Sequence, residues 1–515
     1  MPRHWKRCFF PVAVTGAIFL AAGYFSPELT SVVARFVPPL SEELISRNLE
    51  VSSLVIQDRN ANLLMVFPDA REQWQIPVGL EQVNPWAVSA VLAAEDRRFF
   101  RHGGIDPLAV GRAVVQWILH RRPVSGASTI TMQLARQIRG YRSRTQLDKV
   151  REAWTALRIE RTLDKRKILE LYLNHAPFGG NSIGIEAAAR RFFGRPARDL
   201  SLSEAALLAG MPQAPSRLNP LKNPQGALKR RNEILRRLLR AGAISKAACE
   251  EALDDPMVHL GRHDFPREAA HPAFYVRNAK SFSGIVQTTL DRDIQRITEL
   301  VTRAHLARLN GLADQAAVIV MDVPSGEVLA WAGSRDFWAD APGAQVDHAR
   351  SRRSPGSALK PFVYGLAMER GLLYPDELLL DGPVDYGSYR PGNFSGDFEG
   401  LVTTTEALRM SLNIPAVVVL KRIGSDAFRS WLVGSGIRDP NLMREIWGLG
   451  SPLGSVEVTL EELLTLYMGI ARFGSAQSPV LLRCGESPPA QLLLRPDICA
   501  MLWRMMEQPL PGDLP

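Results

Sequence analysis

The N-terminus constrains everything after it. Residues 8–25, CFFPVAVTGAIFLAAGYF, carry no charge and follow a short tail containing Arg3, Lys6 and Arg7. An apolar run of this length is about what a helix needs to span a bilayer. The cations before it hold residues 1–7 on the cytoplasmic side and send the rest of the chain outward. The run is long for the apolar stretch of a cleaved signal, and no clear small-residue cleavage site follows it, so an uncleaved signal anchor is the preferred reading.

The exported part is large enough for two or three domains, since the whole chain has 515 residues. With 46% hydrophobic and 22% charged residues, it is neither a disordered chain nor a polytopic membrane protein. The net charge of +9 suits anionic lipid, an anionic substrate or nucleic acid. No zinc-finger spacing or phosphate-binding glycine loop supports a nucleic-acid role. Cys8, Cys249, Cys484 and Cys499 form no CxxC pair. A Cys484–Cys499 disulfide is allowed in an oxidising compartment, but free thiols are the simpler reading.

Residues 26–76 form a spacer in which VSSLVIQ and NLLMVF flank Asp58-Arg59-Asn60, the pattern of a hairpin. From about 80 to 250 apolar residues recur at helical spacing. Residues 255–285 lose that periodicity and gain Pro and His, as a linker would. Beyond them strand and helix signals alternate, indicating a separate α/β domain.

Four blocks in the helical region carry chemistry. Glu95 opens EDRRFFRHGG, where Phe99, Phe100, His102 and a glycine pair offer aromatic walls against which a carboxylate gains proton affinity. Alone, the string fits a charged surface helix end equally well. Asp106 and Pro107 then read as the N-cap and first-turn proline of a helix. Its apolar residues, bounded by Arg112, Arg121 and Arg122, fit a core helix or a membrane-interface helix. GASTITMQ, residues 126–133, supplies hydroxyls and an amide for sugar or pyrophosphate oxygens. The strongly basic stretch Leu147–Asn174 contains Glu170 among Ile168, Leu169 and Leu171, which reads as a partly buried, partnered carboxylate.

These blocks, ED..F..H.G, G.ST.T.Q, K..E and ILE.YLN followed by FG, closely resemble the family 51 peptidoglycan glycosyltransferase domain of class A penicillin-binding proteins. The resemblance runs from about Pro77 to Pro220. It implies a mostly α-helical, lysozyme-like domain over 77–250 that takes lipid II and the growing lipid-linked strand as substrates. It implies Glu95 as the base, with Glu170 and Lys149 on the pyrophosphate side. Asp96, Phe99, His102, Ser128, Thr129, Gln133, Glu152 and Arg166 are the implied substrate-binding residues. Where the third block usually begins Arg-Lys this chain has Asp148-Lys149, an acid beside the expected phosphate contact, with Arg151 near enough to compensate. Inverting transfer needs a base for the acceptor hydroxyl and charge stabilisation at the leaving pyrophosphate. A divalent cation, Mg2+ or Mn2+, could bridge the phosphates, but no metal-ligand cluster in the sequence requires one.

A second constellation follows the 251–284 linker. In RRSPGSALKPFVYG, Ser357 and Lys360 share one face at a helix start, so the lysine can take the serine's proton. Ser411-Leu-Asn413 follows. With S-x-x-K, this is the signature of the penicillin-binding, serine β-lactamase-like α/β transpeptidase domain, here 285–515. The surrounding SPGS.LKPFVYG and YRPGNF resemble the 1C branch of that family. The family's Lys-Thr/Ser-Gly strand has no counterpart, the last lysine being Lys421. The domain is therefore expected to be incomplete, with a transpeptidase that is inactive or nearly so and poor β-lactam binding at Ser357. The expected protein is a single-pass, type II inner-membrane enzyme of bacteria, its catalytic domains periplasmic, without nucleic-acid partners. A lysozyme-like hydrolase and a catalytically silent scaffold or truncated gene product are the competing readings.

Overall fold

A computed structural model describes residues 37–507 except 52, 121–127, 141–145, 258, 280–281, 388, 439–447 and 484–488. The apolar run 8–25 and Cys484 lie outside the described residues. No helix among the described residues is long and apolar enough to cross a membrane. Cys249 and Cys499 are buried free thiols.

The chain divides into two compact units, one built mainly from residues 65–267 and the other mainly from 286–515. Ahead of the first, α1 (Glu42–Asn48) is N-capped by Ser41. Strands β1 (Leu54–Gln57) and β2 (Leu63–Phe67) are neighbours in one sheet. The turn between them is tied by Asp58, whose Oδ1 accepts from the amides of Asn60 and Asn62.

The first unit is helical because its sequence repeatedly supplies an N-cap followed by an apolar stripe. Helix α2 (Pro85–Glu95) starts at Asn84, which caps Trp86, with proline in the first turn. Helix α3 (Pro107–His120) starts after Asp106, whose Oδ1 accepts from Leu108 and Ala109. Helix α4 (Ile130–Arg139) is capped by Thr129 and ends on Gly140 in the left-handed region. Helix α5 (Gln146–Thr162) is followed by α6 (Lys165–His175), capped by Asp164. Helix α7 (Ile185–Phe193), α8 (Leu202–Ala209), α9 (Pro224–Arg240) and α10 (Lys246–Asp254) complete the bundle. Val91, Leu134, Ile159, Leu169, Leu208 and Ile234 sit in one core drawn from six of these helices. The FG string after α6 pairs antiparallel with Ser182–Ile183, whose other edge pairs parallel with Trp74–Gln75. There Gly184 (φ +83°) has no room for a side chain: a Cβ would lie 2.7 Å from the Asn174 carbonyl oxygen.

In the second unit α11 (Ala270–Asn278) precedes α12 (Arg292–Arg308) and the antiparallel pair β3 (Val318–Met321) and β4 (Val328–Ala332). Helix α13 (Lys360–Glu369) follows, then the antiparallel pair β5 (Leu378–Asp381) and β6 (Gly400–Thr403). Helix α14 (Thr404–Arg409), α15 (Asn413–Ile423), α16 (Ser425–Gly434), α17 (Leu460–Ala471) and α18 (Pro496–Glu507) pack around Phe362, Leu420, Phe428, Leu466 and Leu502. Within the stretch 251–284, residues Ala270–Asn278 form α11. Its first-turn proline, Pro272, is where a helix tolerates one, and Ala270, Ala273 and Val276 are buried on one side. Helix α10 also continues past residue 250, the expected domain end.

Candidate active site

Glu95 is the last residue of α2, held where the helix meets the bundle. Gln133 of α4 donates from Nε2 to its Oε2 at 2.7 Å. Its other oxygen, Oε1, is buried without a hydrogen-bond partner. Burial pushes the carboxyl above the usual carboxylate range, only partly offset by the Gln133 bond and the positive charges of Arg230 and Arg237. Both arginines come from α9, and Arg237 also donates to the carbonyls of Ala93 and Ala94 at the end of α2.

Asp96 and His102 build the frame around this carboxylate. Both are buried. The His102 Nε2–H lies 3.0 and 3.1 Å from the two Asp96 oxygens, while its Nδ1 accepts from Gly104. Asp96 Oδ2 also accepts from the amide of Ile130, the first residue of α4. Thr129 caps α4 and donates to the Gly104 carbonyl at 2.6 Å. The EDRRFFRHGG loop and the start of α4 are therefore one hydrogen-bonded piece. Phe99 is fully buried, and Lys165 lies over its ring at 4.2 Å while pairing with Glu160.

One turn along α4 from Gln133, Arg136 donates to Glu152 of α5 at 2.7 and 3.2 Å. Lys149 donates to the same carboxylate at 2.8 Å and to Ser128 Oγ at 3.1 Å. Burial alone would raise the Glu152 carboxyl, but the bonds and charges of Arg136 and Lys149 outweigh it and hold it below the ordinary range. Asp148 pairs with Arg151 at 3.6 Å. Residues from the second and third blocks thus form one half-exposed cationic cluster, with Ser128 as a hydroxyl donor at its edge.

Glu170 is elsewhere. It pairs with Lys167 on its own helix at 2.6 Å and accepts from the Leu80 amide at 3.3 Å. It is partnered, as its sequence context predicts, but not with Lys149. Arg166 pairs with Glu81, both strongly exposed. Sequence reasoning missed Arg136, Tyr172, Arg230 and Arg237. Helical spacing from Gln133 marks Arg136 as a neighbour, but nothing local marks the others.

No group of three or more His, Cys, Asp or Glu among the described residues could hold a metal ion. Nor do the carboxylates present suit a resident divalent cation, since Glu152 is engaged by two side-chain cations.

In the second unit Ser357 lies in the 3-10 turn Gly356–Leu359 and is exposed, directly before Lys360 opens α13. Lys360 is 1% exposed. Its Nζ donates to the Ser411 carbonyl, to Ser411 Oγ at 3.2 Å and to Asn413 Oδ1 at 2.8 Å. Ser411 has a left-handed backbone, φ +54°. Burial lowers the Lys360 pKa to about 8. Asn413 is held in turn by Asn393, and Asn393 by the buried Asp381. Lys360, Ser411 and Asn413 come together, but among the described residues no hydrogen bond joins Ser357 to Lys360, whose three donors are already taken.

Known families match both units. A model described as transglycosylase matches residues 60–239, and one described as penicillin binding protein transpeptidase domain matches residues 316–509. The chain is 41% identical over 425 residues to penicillin-binding protein 1C of Escherichia coli K12, covering 82% of this chain and 54% of that protein. It is 32% identical over 428 residues to penicillin-binding protein 1F of Bacillus subtilis 168, covering 79% and 58%. Penicillin-binding protein 1A of Aquifex aeolicus VF5 is 29% identical over 502 residues, with 79% and 68% covered. The chain thus spans between 54% and 58% of the length of the first two relatives.

Proposed function

The chain belongs with the class A penicillin-binding proteins, joining a transglycosylase domain to a transpeptidase domain, and we propose that it polymerises lipid II into β-1,4-linked glycan. One observation carries this reading. Helix α4 presents Gln133 to Glu95 and, three residues on, Arg136 to Glu152, while Ser128 before its cap meets Lys149. Residues three apart on a helix are surface neighbours. A proton-accepting carboxylate and a cationic cluster suited to pyrophosphate therefore lie along one helix.

The reaction follows from that pairing. The acceptor's 4-hydroxyl attacks the anomeric carbon of the lipid-linked donor from the face opposite its pyrophosphate. Glu95 takes the hydroxyl proton on Oε1 as the new C–O bond forms. Its raised proton affinity makes it a stronger base than a solvated carboxylate. The bond to pyrophosphate breaks, and Lys149, Arg136 and Ser128 meet the charge that develops there. Glu152 holds the two cations in place. Glu170 pairs with Lys167 and Arg166 with Glu81, and Glu170 and Arg166 are read as further substrate contacts.

Residues 8–25 serve as the membrane anchor, with the catalytic units on the periplasmic side. Large exposed apolar side chains at Phe100, Leu108, Leu147, Val150 and Trp154 support a membrane-facing side for the first unit. The second site is read as a serine acyl-transfer site: Ser357 as nucleophile, Lys360 as base, with Ser411 and Asn413 orienting the lysine.

The test is to give purified protein labelled lipid II. Long glycan with release of undecaprenyl pyrophosphate is the expected product. Shortened chains from preformed glycan would establish a hydrolase instead, and intact folded protein that makes no polymer would leave only a scaffold.

A further inference from the structure

Tyr172 stands one residue removed from the base. It is fully buried on α6. Its O–H donates to Gln133 Oε1 at 3.3 Å, and Gln133 Nε2 donates to Glu95 Oε2 at 2.7 Å. A glutamine amide has one accepting and one donating end of nearly equal shape. Packing alone does not decide which end meets Glu95. Turned over, Gln133 would set its oxygen against a carboxylate and leave it without a donor.

The phenol is built to prevent this. Burial, followed by the charge of Glu95, holds its proton affinity well above the ordinary value, so it keeps a proton to donate. The charged groups around this carboxylate are Arg230 and Arg237 from α9, which favour its anion, and Asp96 at the end of its own helix, which opposes it. Tyr172 also feels Arg136 of α4 and Asp96. Glu95 Oε1 remains buried and unpartnered.

We propose that Tyr172 is a positioning residue for transfer chemistry: its hydroxyl locks the Gln133 amide with Nε2 on Glu95 Oε2, reserving Oε1 for the acceptor's proton. The inference rests on reading Glu95 as the base. Phenylalanine at 172 keeps the ring and removes only the lock.

The pH profile of kcat/KM for lipid II polymerisation tests it in wild type, Tyr172→Phe, Gln133→Ala and the double variant. The acid limb should move up by about one pH unit in Tyr172→Phe, the scale of one hydrogen bond to a charged group. Gln133→Ala should move it at least as far, and the double variant no further than Gln133→Ala, because the two act in series. A rate that falls equally at every pH, with the limb in place, would make Tyr172 a packing residue and overturn the proposal. A second readout needs no activity. A carboxyl whose folded pKa is raised loses stability as pH climbs from its unfolded value through its folded one. Glu95→Gln therefore gains melting temperature over its parent across that window, and the window's midpoint should lie higher in the Tyr172→Phe background. Equal midpoints overturn the proposal even if no variant makes polymer. A shifted midpoint without polymer would sink the polymerase reading and leave the hold of Tyr172 on Glu95 standing.

Discussion

Replacing Glu152 by glutamine tests the carboxylate that meets Lys149 in the structure against Glu170, the one expected on the pyrophosphate side. The Glu152 side chain is 4% exposed and accepts two bonds from Arg136 and one from Lys149. Glutamine keeps one accepting oxygen but turns an NH2 toward a cation and removes the charge that holds the cluster. Breaking a fully buried ion pair costs about 3–5 kcal/mol. Here Arg136 and Lys149 are 31% and 41% exposed and can turn to water, so the expected loss is smaller, about 2 kcal/mol. For a unit of this size that corresponds to a melting temperature lower by roughly 4–8 °C at neutral pH.

The sign of the pH dependence gives a second check. The folded Glu152 carboxyl titrates below its ordinary value. Its stabilisation is complete above the unfolded carboxylate pKa, about 4.3, and disappears as pH falls through the lower folded value. The gap between wild type and Glu152→Gln should therefore close on acidification below about pH 4. With Lys149 released from its place beside Ser128, polymerisation of labelled lipid II should fall about 100-fold or more, as when one oriented donor is lost. An unchanged melting temperature with near-normal polymer would refute the reasoning, and so would a stability gap that persists undiminished in acid.

Other outcomes follow from the same geometry. Glu170→Gln breaks a half-exposed pair with Lys167; it should cost no more than about 1 kcal/mol in thermal melts and slow polymerisation less than Glu152→Gln. Gly184→Ala forces a side chain into a glycine-only conformation against the Asn174 carbonyl and should destabilise the first unit by about 2–3 kcal/mol in a denaturant titration. Lys360, with a folded pKa of about 8, carries its full burial cost at pH 7, where it is charged in both folded and unfolded states. That cost fades as pH rises from 8 toward the unfolded value of about 10.4, so wild type should gain melting temperature on Lys360→Gln across that range.

What the sequence made legible was local. Asp106 announced the start of α3 and Asp58 its turn, because caps and turns are decided by neighbouring residues. Glu170 shows where local reading fails. Its neighbours Ile168 and Leu169 mark it as partly buried and partnered, which it is, but do not tell which cation it meets. On α6 the core takes Ile168, Leu169, Tyr172 and Leu173, and a residue between those pairs faces away. Glu152 lacked apolar flanks and seemed secondary, yet it is buried by a different helix carrying Arg136. Helix α11 escaped notice because His271 and Pro272 obscure its buried alanines. Tyr172, Arg230 and Arg237 reach Glu95 only through packing between helices, which no single segment encodes.

The central claim is that Glu95 acts as the base and contributes little to substrate binding. Glu95→Gln keeps the shape of the side chain and removes its ability to take a proton. Lipid II binding and polymer formation measured on this one variant test the claim directly. The account predicts binding close to wild type with polymer formation lost at every pH. Glu95→Gln protein that still makes glycan at a near-normal rate would contradict it.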